Sequence, residues 1–225
     1  MTTRITRDEM LPMLMRQTFS RRKLLINAGI AGGGLAALGT IGPALAQSAQ
    51  GTPTSSEAPF AGPVDVLNYA LTLEHIETAF YRDGLAMIGV NGITGLGFQA
   101  EVFDFLSDIA EHEQFHVETL TQVITQLGGE PVAEATYDFG YADAAGFLQV
   151  AMALEDTGVA AYQGAAQYLI EEDELLTAAL TIHGVEARHA SYLALLNAGN
   201  PFPEAVNPTL TPAEVLDIAT PFIVQ

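Results

Sequence analysis

Cysteine and tryptophan are both absent from this chain of 225 residues. Without cysteine the chain offers no disulfide framework, no iron–sulfur centre, no cysteine-ligated zinc site and no lipid-modified cysteine anchor. Any metal ion that it binds must therefore be held by histidine and carboxylate side chains.

Basic residues are also scarce, with 8 lysines and arginines against 27 acidic residues and a formal net charge of −19. Six of the eight lie before Gln47, so the rest of the chain sets 25 acidic residues against Arg82 and Arg188, a formal charge of −23. Such a surface repels phosphate backbones and anionic lipid headgroups. We therefore expect no nucleic-acid partner, and solubility is the simplest reason for the acidity.

The first 46 residues have the pattern of a twin-arginine export signal. Basic residues lead into the run Ser20-Arg21-Arg22-Lys23, a Gly/Ala/Leu segment follows, and Ala44-Leu45-Ala46 offers a cleavage site. A permanent membrane span is less favoured, because glycines and Pro43 interrupt the apolar segment. The pattern predicts a twin-arginine translocase as partner during export, and the periplasm or the cell exterior as the destination.

The remaining chain divides into a flexible linker at 47–62, a helical domain at 63–200 and a C-terminal tail at 201–225. Apolar residues at three- and four-residue spacing predict four long helices, at 64–85, about 98–127, 143–170 and about 174–197. Asp83-Gly84 is expected to close the first helix, and the glycine-rich segment 89–97 to form a turn. Thr211-Pro212 marks the start of one short helix in the tail.

The two links that follow the second and third helices differ in length. The link at 129–142, about 14 residues, could cover roughly 46 Å, which is enough to run along the bundle. The link at 171–173 allows only an antiparallel hairpin. The expected fold class is all-α, a four-helix bundle with a long crossover between helices 2 and 3.

The helices carry a repeated pattern of metal-ligand residues. Helices 2 and 4 each contain Glu-x-x-His, a spacing that puts a carboxylate and an imidazole one turn apart on the same face. Helices 1 and 3 each contain Leu-Glu followed seven residues later by a tyrosine. The six candidate metal ligands are Glu74, Glu113, His116, Glu155, Glu186 and His189.

This set is the one used by di-iron and di-manganese carboxylate bundles. Four glutamates would balance two divalent ions with both histidines neutral, whereas four unpaired carboxylates in a core would be untenable. We therefore expect two iron or two manganese ions as the cofactor, a choice that carboxylate and imidazole ligands leave open.

With these motifs, residues 63–198 resemble the ferritin-like superfamily and, within it, the exported desiccation-related ferritin-like proteins. The resemblance implies Glu113 and Glu186 as bridging, catalytically important ligands, and Glu74 and Glu155 as terminal ones. It implies metal chemistry with dioxygen or peroxide as the small-molecule oxidant, in stress protection, and the chain could form a homo-oligomer. Glu186 and His189 make the site resemble those of di-metal oxidases, rubrerythrins and manganese catalases.

Two other functions remain open. A non-enzymatic stress protein of the same fold would use the cluster only to fix the bundle. The run from His112 to His116 also matches H-E-x-x-H, the zinc metallopeptidase motif, although that interpretation leaves the other candidate ligands unexplained.

Several neighbouring residues have no assigned role at this level. Each is compatible with a place in the core, at an interhelix boundary or around the candidate ligands. They are His75, Glu77, His112, His183, Tyr81 and Tyr162.

Overall fold

A computed structural model describes residues 59–224. The predicted export signal at 1–46 and the linker residues up to 58 lie outside the described residues. Phe60, at the end of that linker, already packs on the bundle, with its ring 5.4 Å from Tyr69 and 5.1 Å from Tyr168.

Four long helices and one short helix dominate this part of the chain. They are α1 (Pro63–Gly95), α2 (Glu101–Gln126), α3 (Ala144–Ala165), α4 (Asp173–Leu196) and α5 (Pro212–Ala219), with a 3₁₀ turn after α3 at Ala166–Leu169. The main packing pairs are α1 with α2 and α3 with α4, and α1 also packs on α3. The predicted all-α bundle with a short C-terminal helix is confirmed.

The first helix differs from its prediction, because it runs through Gly84 instead of ending there. A Cβ on Gly84 would lie 2.4 Å from Cε2 of Phe147. The absence of a side chain at Gly84 therefore leaves room for the Phe147 ring of α3, and Gly84 does not end the helix. The predicted turn at 89–97 is mostly helical as well. Only Gly89, at φ 57° and ψ 178°, interrupts the helix, and a glycine adopts that conformation without strain.

Local sequence explains where several helices begin. Pro63 occupies the first turn of α1, and Asp143 caps α3 by accepting a hydrogen bond from Gly146 N at 2.8 Å. Thr211 and Glu214 form the reciprocal capping box that starts α5.

Polar side chains on one face of α1 hold the crossover between α2 and α3 against the bundle. Asn68, His75 and Arg82 are seven residues apart and lie on the same side of α1. Asn68 donates to Glu130 O at 3.0 Å, His75 Nε2 lies 3.0 Å from Val132 O, and Arg82 pairs with Glu134 at 3.0 Å. Beyond these contacts, the strands β1 (Thr136–Tyr137) and β2 (Ile223–Val224) pair antiparallel and tie the crossover to the tail.

One end of the bundle is filled by aromatic rings. Phe80 stacks on Phe147 at 4.6 Å and meets Phe139 and Tyr141 of the crossover edge-on. Such rings remove large apolar areas from water and fix the spacing of α1 and α3. Among the helices of residues 59–224, none has the length and apolar run needed to cross a membrane.

Candidate metal centre

The four helices bring the six predicted ligands together in the middle of the bundle. The four glutamates are fully buried and the two histidines are 4% exposed. The side chains form two overlapping groups in which the potential ligand atoms all lie within 4.8 Å of one another. One group is Glu74, Glu113, His116 and Glu186, and the other is Glu113, Glu155, Glu186 and His189.

His116 is the centre of the first group. Its Nδ1 lies 3.1 Å from Oε2 of Glu74, 3.0 Å from Oε2 of Glu113 and 3.0 Å from Oε1 of Glu186. These three carboxylates come from three different helices, α1, α2 and α4.

His189 is the centre of the second group. Its Nδ1 lies 2.9 Å from Oε1 of Glu113, 3.3 Å from Oε2 of Glu155 and 3.9 Å from Oε2 of Glu186. Glu113 and Glu186 therefore each turn one oxygen toward either histidine, whereas Glu74 faces only His116 and Glu155 only His189. Glu113 and Glu186 are thus the two carboxylates common to both groups.

The spacing of these atoms fits metal ligation better than hydrogen bonding. A single Nδ1 has one proton at most and cannot donate to three oxygens. Ligands at right angles around an ion with bonds of about 2.1 Å lie about 3 Å apart. Moreover, five buried atoms of the cluster have no hydrogen-bond partner within the described residues: Glu113 Oε1, Glu155 Oε2, both oxygens of Glu186, and His189 Nδ1. Carboxylate and imidazole groups are common metal ligands, so the chemistry of these buried residues is compatible with a metal site.

Two buried tyrosines orient the carboxylates that face a single histidine. Tyr81 of α1 donates to Glu155 Oε1 at 2.5 Å, and Tyr162 of α3 donates to Glu74 Oε1. Each hydrogen bond uses one oxygen and leaves the other directed at its histidine. The pattern Leu-Glu with a tyrosine seven residues later contained this information, although sequence alone could not separate it from core packing.

His112 belongs to neither group. Its Nδ1 lies 3.0 Å from Nε2 of His189, the ring nitrogen opposite the carboxylates, so it holds the orientation of that ring. The two histidines of the H-E-x-x-H run therefore face different partners and do not converge on one point, which disfavours the mononuclear zinc arrangement.

Glu77 is a fifth buried carboxylate, and sequence reasoning left it undecided. It is 3% exposed, one turn after Glu74. A Cβ on Gly158 would lie 3.0 Å from Glu77 Oε1 and 3.6 Å from Glu186 Oε2, so this glycine leaves room for both carboxylates. Burial, then Glu186 and Glu155, raise the pKa of Glu77 well above its ordinary value.

The electrostatics of the metal-free cluster follow from burial and mutual contact. Burial raises the pKa of Glu74 to about 7, although His116 opposes the shift. Burial would also raise the pKa of Glu113, but His116 and His189 together lower it below its ordinary value. For His189, burial lowers the pKa, but Glu155 and Glu113 outweigh it and raise the pKa to about 10. In the metal-free cluster this raised pKa favours a protonated His189, whose positive charge offsets part of the carboxylate charge.

The other two histidines lie away from these contacts. His75 fastens the crossover at Val132, and His183 is half-buried with an Nε2 that has no hydrogen-bond partner within the described residues. Burial lowers the pKa of His183.

Two comparisons with known proteins gave different results. A comparison with curated proteins finds no match. The family model of the ferritin-like domain matches residues 62–198, which include all four long helices and every candidate ligand. The chain therefore belongs to the ferritin-like domain family.

Proposed function

We propose that this chain is a di-metal oxidoreductase whose two iron or manganese ions react with dioxygen or hydrogen peroxide. The observation that supports it best is the pair of buried ligand groups that share Glu113 and Glu186. Two overlapping groups with one histidine each suit two ions better than one.

Bound ions would supply two electrons, so that two Fe²⁺ become Fe³⁺ while dioxygen takes up two electrons and two protons to give hydrogen peroxide. The protein's part is to hold the carboxylates in place and to exclude water. Glu113 and Glu186 span the two histidine positions, and the tyrosines fix the terminal carboxylates. Ionised Glu74, Glu113, Glu155 and Glu186 would balance the charge of two divalent ions, and a protonated Glu77 would add no further charge.

Metal content is the first test. The mature protein, purified and reconstituted, is expected to hold about two iron or manganese ions per chain by mass spectrometry. Glu113→Gln should lose both, because the carboxylate touches both groups, while Glu111→Gln makes the same change at an exposed position of α2 and should keep them. One zinc per chain, or no metal in the reconstituted wild type, would overturn the proposal.

Measurements of catalytic turnover distinguish the proposed oxidoreductase from a second candidate function, that of a non-enzymatic stress protein. That candidate is favoured by the acidic surface, since Arg82 and Arg188 are the only basic residues in the described part of the chain. Fully metallated protein should consume dioxygen with ferrous iron, or decompose hydrogen peroxide. If protein with two bound metals reacts with neither dioxygen nor hydrogen peroxide, the non-enzymatic function is supported.

We further propose export through the twin-arginine route and a place in stress protection outside the cytoplasm, as desiccation-related relatives of this fold would have. Residues 20–25 support the export proposal. Replacing Arg21 and Arg22 by lysine should leave the precursor in the cytoplasmic fraction, whereas the natural sequence is expected to yield a shorter protein outside it. A homo-oligomer remains a prediction, which light scattering of the mature protein would test.

A further inference from the structure

An apolar cavity of about 30 Å³ lies inside the bundle next to the ligand cluster. Its wall comes from the first halves of α1 and α4, the second halves of α2 and α3, and the 3₁₀ turn after α3. About 10–15 Å³ of such space holds one water molecule. The cavity therefore has room for a molecule of two or three heavy atoms.

The cavity adjoins the His116 group of ligands. Tyr162 forms part of its wall and donates to Glu74. Thr119 is three residues after His116, and Ile182 is four residues before Glu186, so both wall residues lie one turn from a ligand. The opposite end of the bundle, beyond His189, is filled by the stacked rings of Phe80 and Phe147. The cluster thus lies between aromatic rings on one side and, on the other, an apolar space whose wall residue Tyr162 contacts Glu74.

Small side chains create this space and connect it toward the surface. Ala161 and Ala165 line it from α3, where larger residues would fill it, and Ala178 and Ala179 line it from α4. The first pair is buried, whereas the second pair is only half-buried. The wall is therefore closer to solvent at these two residues of α4 than at the two residues of α3.

We propose that this cavity binds dioxygen beside the metal centre. The proposal rests on the proposed redox function and gives dioxygen, and not hydrogen peroxide, as the oxidant that occupies this cavity. Dioxygen is apolar and loses no hydrogen bonds when it leaves water, whereas hydrogen peroxide would give up most of its hydrogen bonds to water on entering this cavity. The wall is almost wholly apolar and so favours the first molecule.

Two hydroxyl groups define the competing occupant. Tyr69 and Thr119 are wall residues whose side-chain oxygens have no hydrogen-bond partner within residues 59–224. A buried water molecule needs two to four polar partners, and these two hydroxyl groups are the unpartnered side-chain groups of the wall. The test must therefore distinguish a dry cavity from a hydrated one.

Xenon binding makes this distinction without any metal or turnover. Crystals of the mature protein under xenon pressure, metal-free and metal-loaded, should each show one xenon atom in the cavity, because dry apolar cavities bind this gas. Ordered water held by Tyr69 and Thr119, with no xenon, would overturn the proposal.

A variant that fills the cavity then tests the oxidant. Ala165→Leu should abolish xenon binding and raise the KM for dioxygen at least tenfold in the metal-loaded protein, with peroxide turnover unchanged. Ala153→Leu, the same change on the exposed face of α3, should alter neither. Thermal unfolding must show that Ala165→Leu is folded, and Ala161→Val is the milder substitute if it is not.

The outcomes separate this proposal from the proposed function. An equal loss of turnover with both oxidants, or an unchanged KM for dioxygen in the filled variant, would overturn the dioxygen site while the redox function stands. Xenon binding in a metallated protein that consumes no dioxygen would overturn the assignment of dioxygen as the occupant.

Discussion

Tyr162 of α3 donates its hydroxyl hydrogen bond to Glu74 of α1, and Tyr81 of α1 donates to Glu155 of α3. Each tyrosine thus orients the carboxylate of the other helix, not that of its own. These two reciprocal hydrogen bonds give the α1–α2 and α3–α4 halves of the bundle an approximate two-fold symmetry. They also make each terminal carboxylate depend on the packing of α1 against α3.

These reciprocal hydrogen bonds predict that the two metal positions respond to different tyrosines. Tyr162→Phe should weaken binding at the His116 position by about 10- to 100-fold, and Tyr81→Phe should do the same at the His189 position, because carboxylate orientation is lost. Metal titration of each variant should show two binding events, one with weakened affinity and one with unchanged affinity. Tyr137→Phe, a hydroxyl removed from the crossover, serves as control, and equal weakening of both steps would contradict the assignment.

Glu186→Gln should abolish binding of the metal pair but raise the stability of the metal-free protein. Both oxygens of Glu186 lack hydrogen-bond partners among the described residues, and burial followed by repulsion from Glu113 raises its pKa well above the ordinary value. A carboxyl group with a raised pKa must take up a proton when the protein folds at neutral pH, which costs about 1.4 kcal/mol for each pKa unit, and glutamine avoids this cost. Urea unfolding after chelation would measure the gain, with Glu111→Gln as the matched exposed change. A less stable Glu186→Gln protein would contradict the expectation.

Metal-free protein should lose stability as the pH rises from about 5 to 10. The pKa of Glu74 rises from 4.5 to about 7 on folding, and that of His189 from 6.5 to about 10. Both groups bind protons more tightly in the folded state, so their stabilising contributions are complete below the unfolded values and disappear as the pH passes the folded values. Glu113, with its lowered pKa, acts in the opposite sense and disfavours the folded state in acid.

Unfolding midpoints at pH 5.5, 7 and 9 would measure this trend on chelated protein. Metal-loaded protein should show the reverse trend, because metal binding needs neutral imidazoles and ionised carboxylates and is therefore weakened by protons. Identical pH profiles with and without metal would show that the cluster does not hold the ions.

Gly84→Ala should destabilise the bundle by about 1–3 kcal/mol, the usual cost of overpacking a core. The added Cβ would lie 2.4 Å from Phe147 Cε2 and 2.8 Å from the Tyr141 hydroxyl oxygen. Gly184→Ala is the matched control, since a Cβ there meets nothing within 4 Å and α4 should gain about 0.5–1 kcal/mol. Thermal unfolding of both variants would test the prediction, and equal stability would contradict it.

The sequence alone predicted the four-helix fold and the helical positions of the six cluster residues. Helical periodicity and the Glu-x-x-His spacing are local properties, so 3.6 residues per turn places Glu113 and His116 on one face whatever the rest of the chain does. The long crossover was predicted from the length of the link at 129–142, which can also be read directly from the sequence. The end of the first helix was predicted wrongly, because Gly84 resembles a helix terminator until the ring of Phe147 is placed against it.

Tertiary packing decided what each side chain does around the cluster. The sequence left the roles of Tyr81 and Tyr162 open, and the packing of α1 against α3 places each hydroxyl against a carboxylate 74 or 88 positions away. His112 acquired its contact with His189 in the same way, across 77 positions. Sequence determines which groups one helix presents, because that depends on neighbouring residues. Only the packed bundle determines which groups meet, because those distances join residues far apart in the chain.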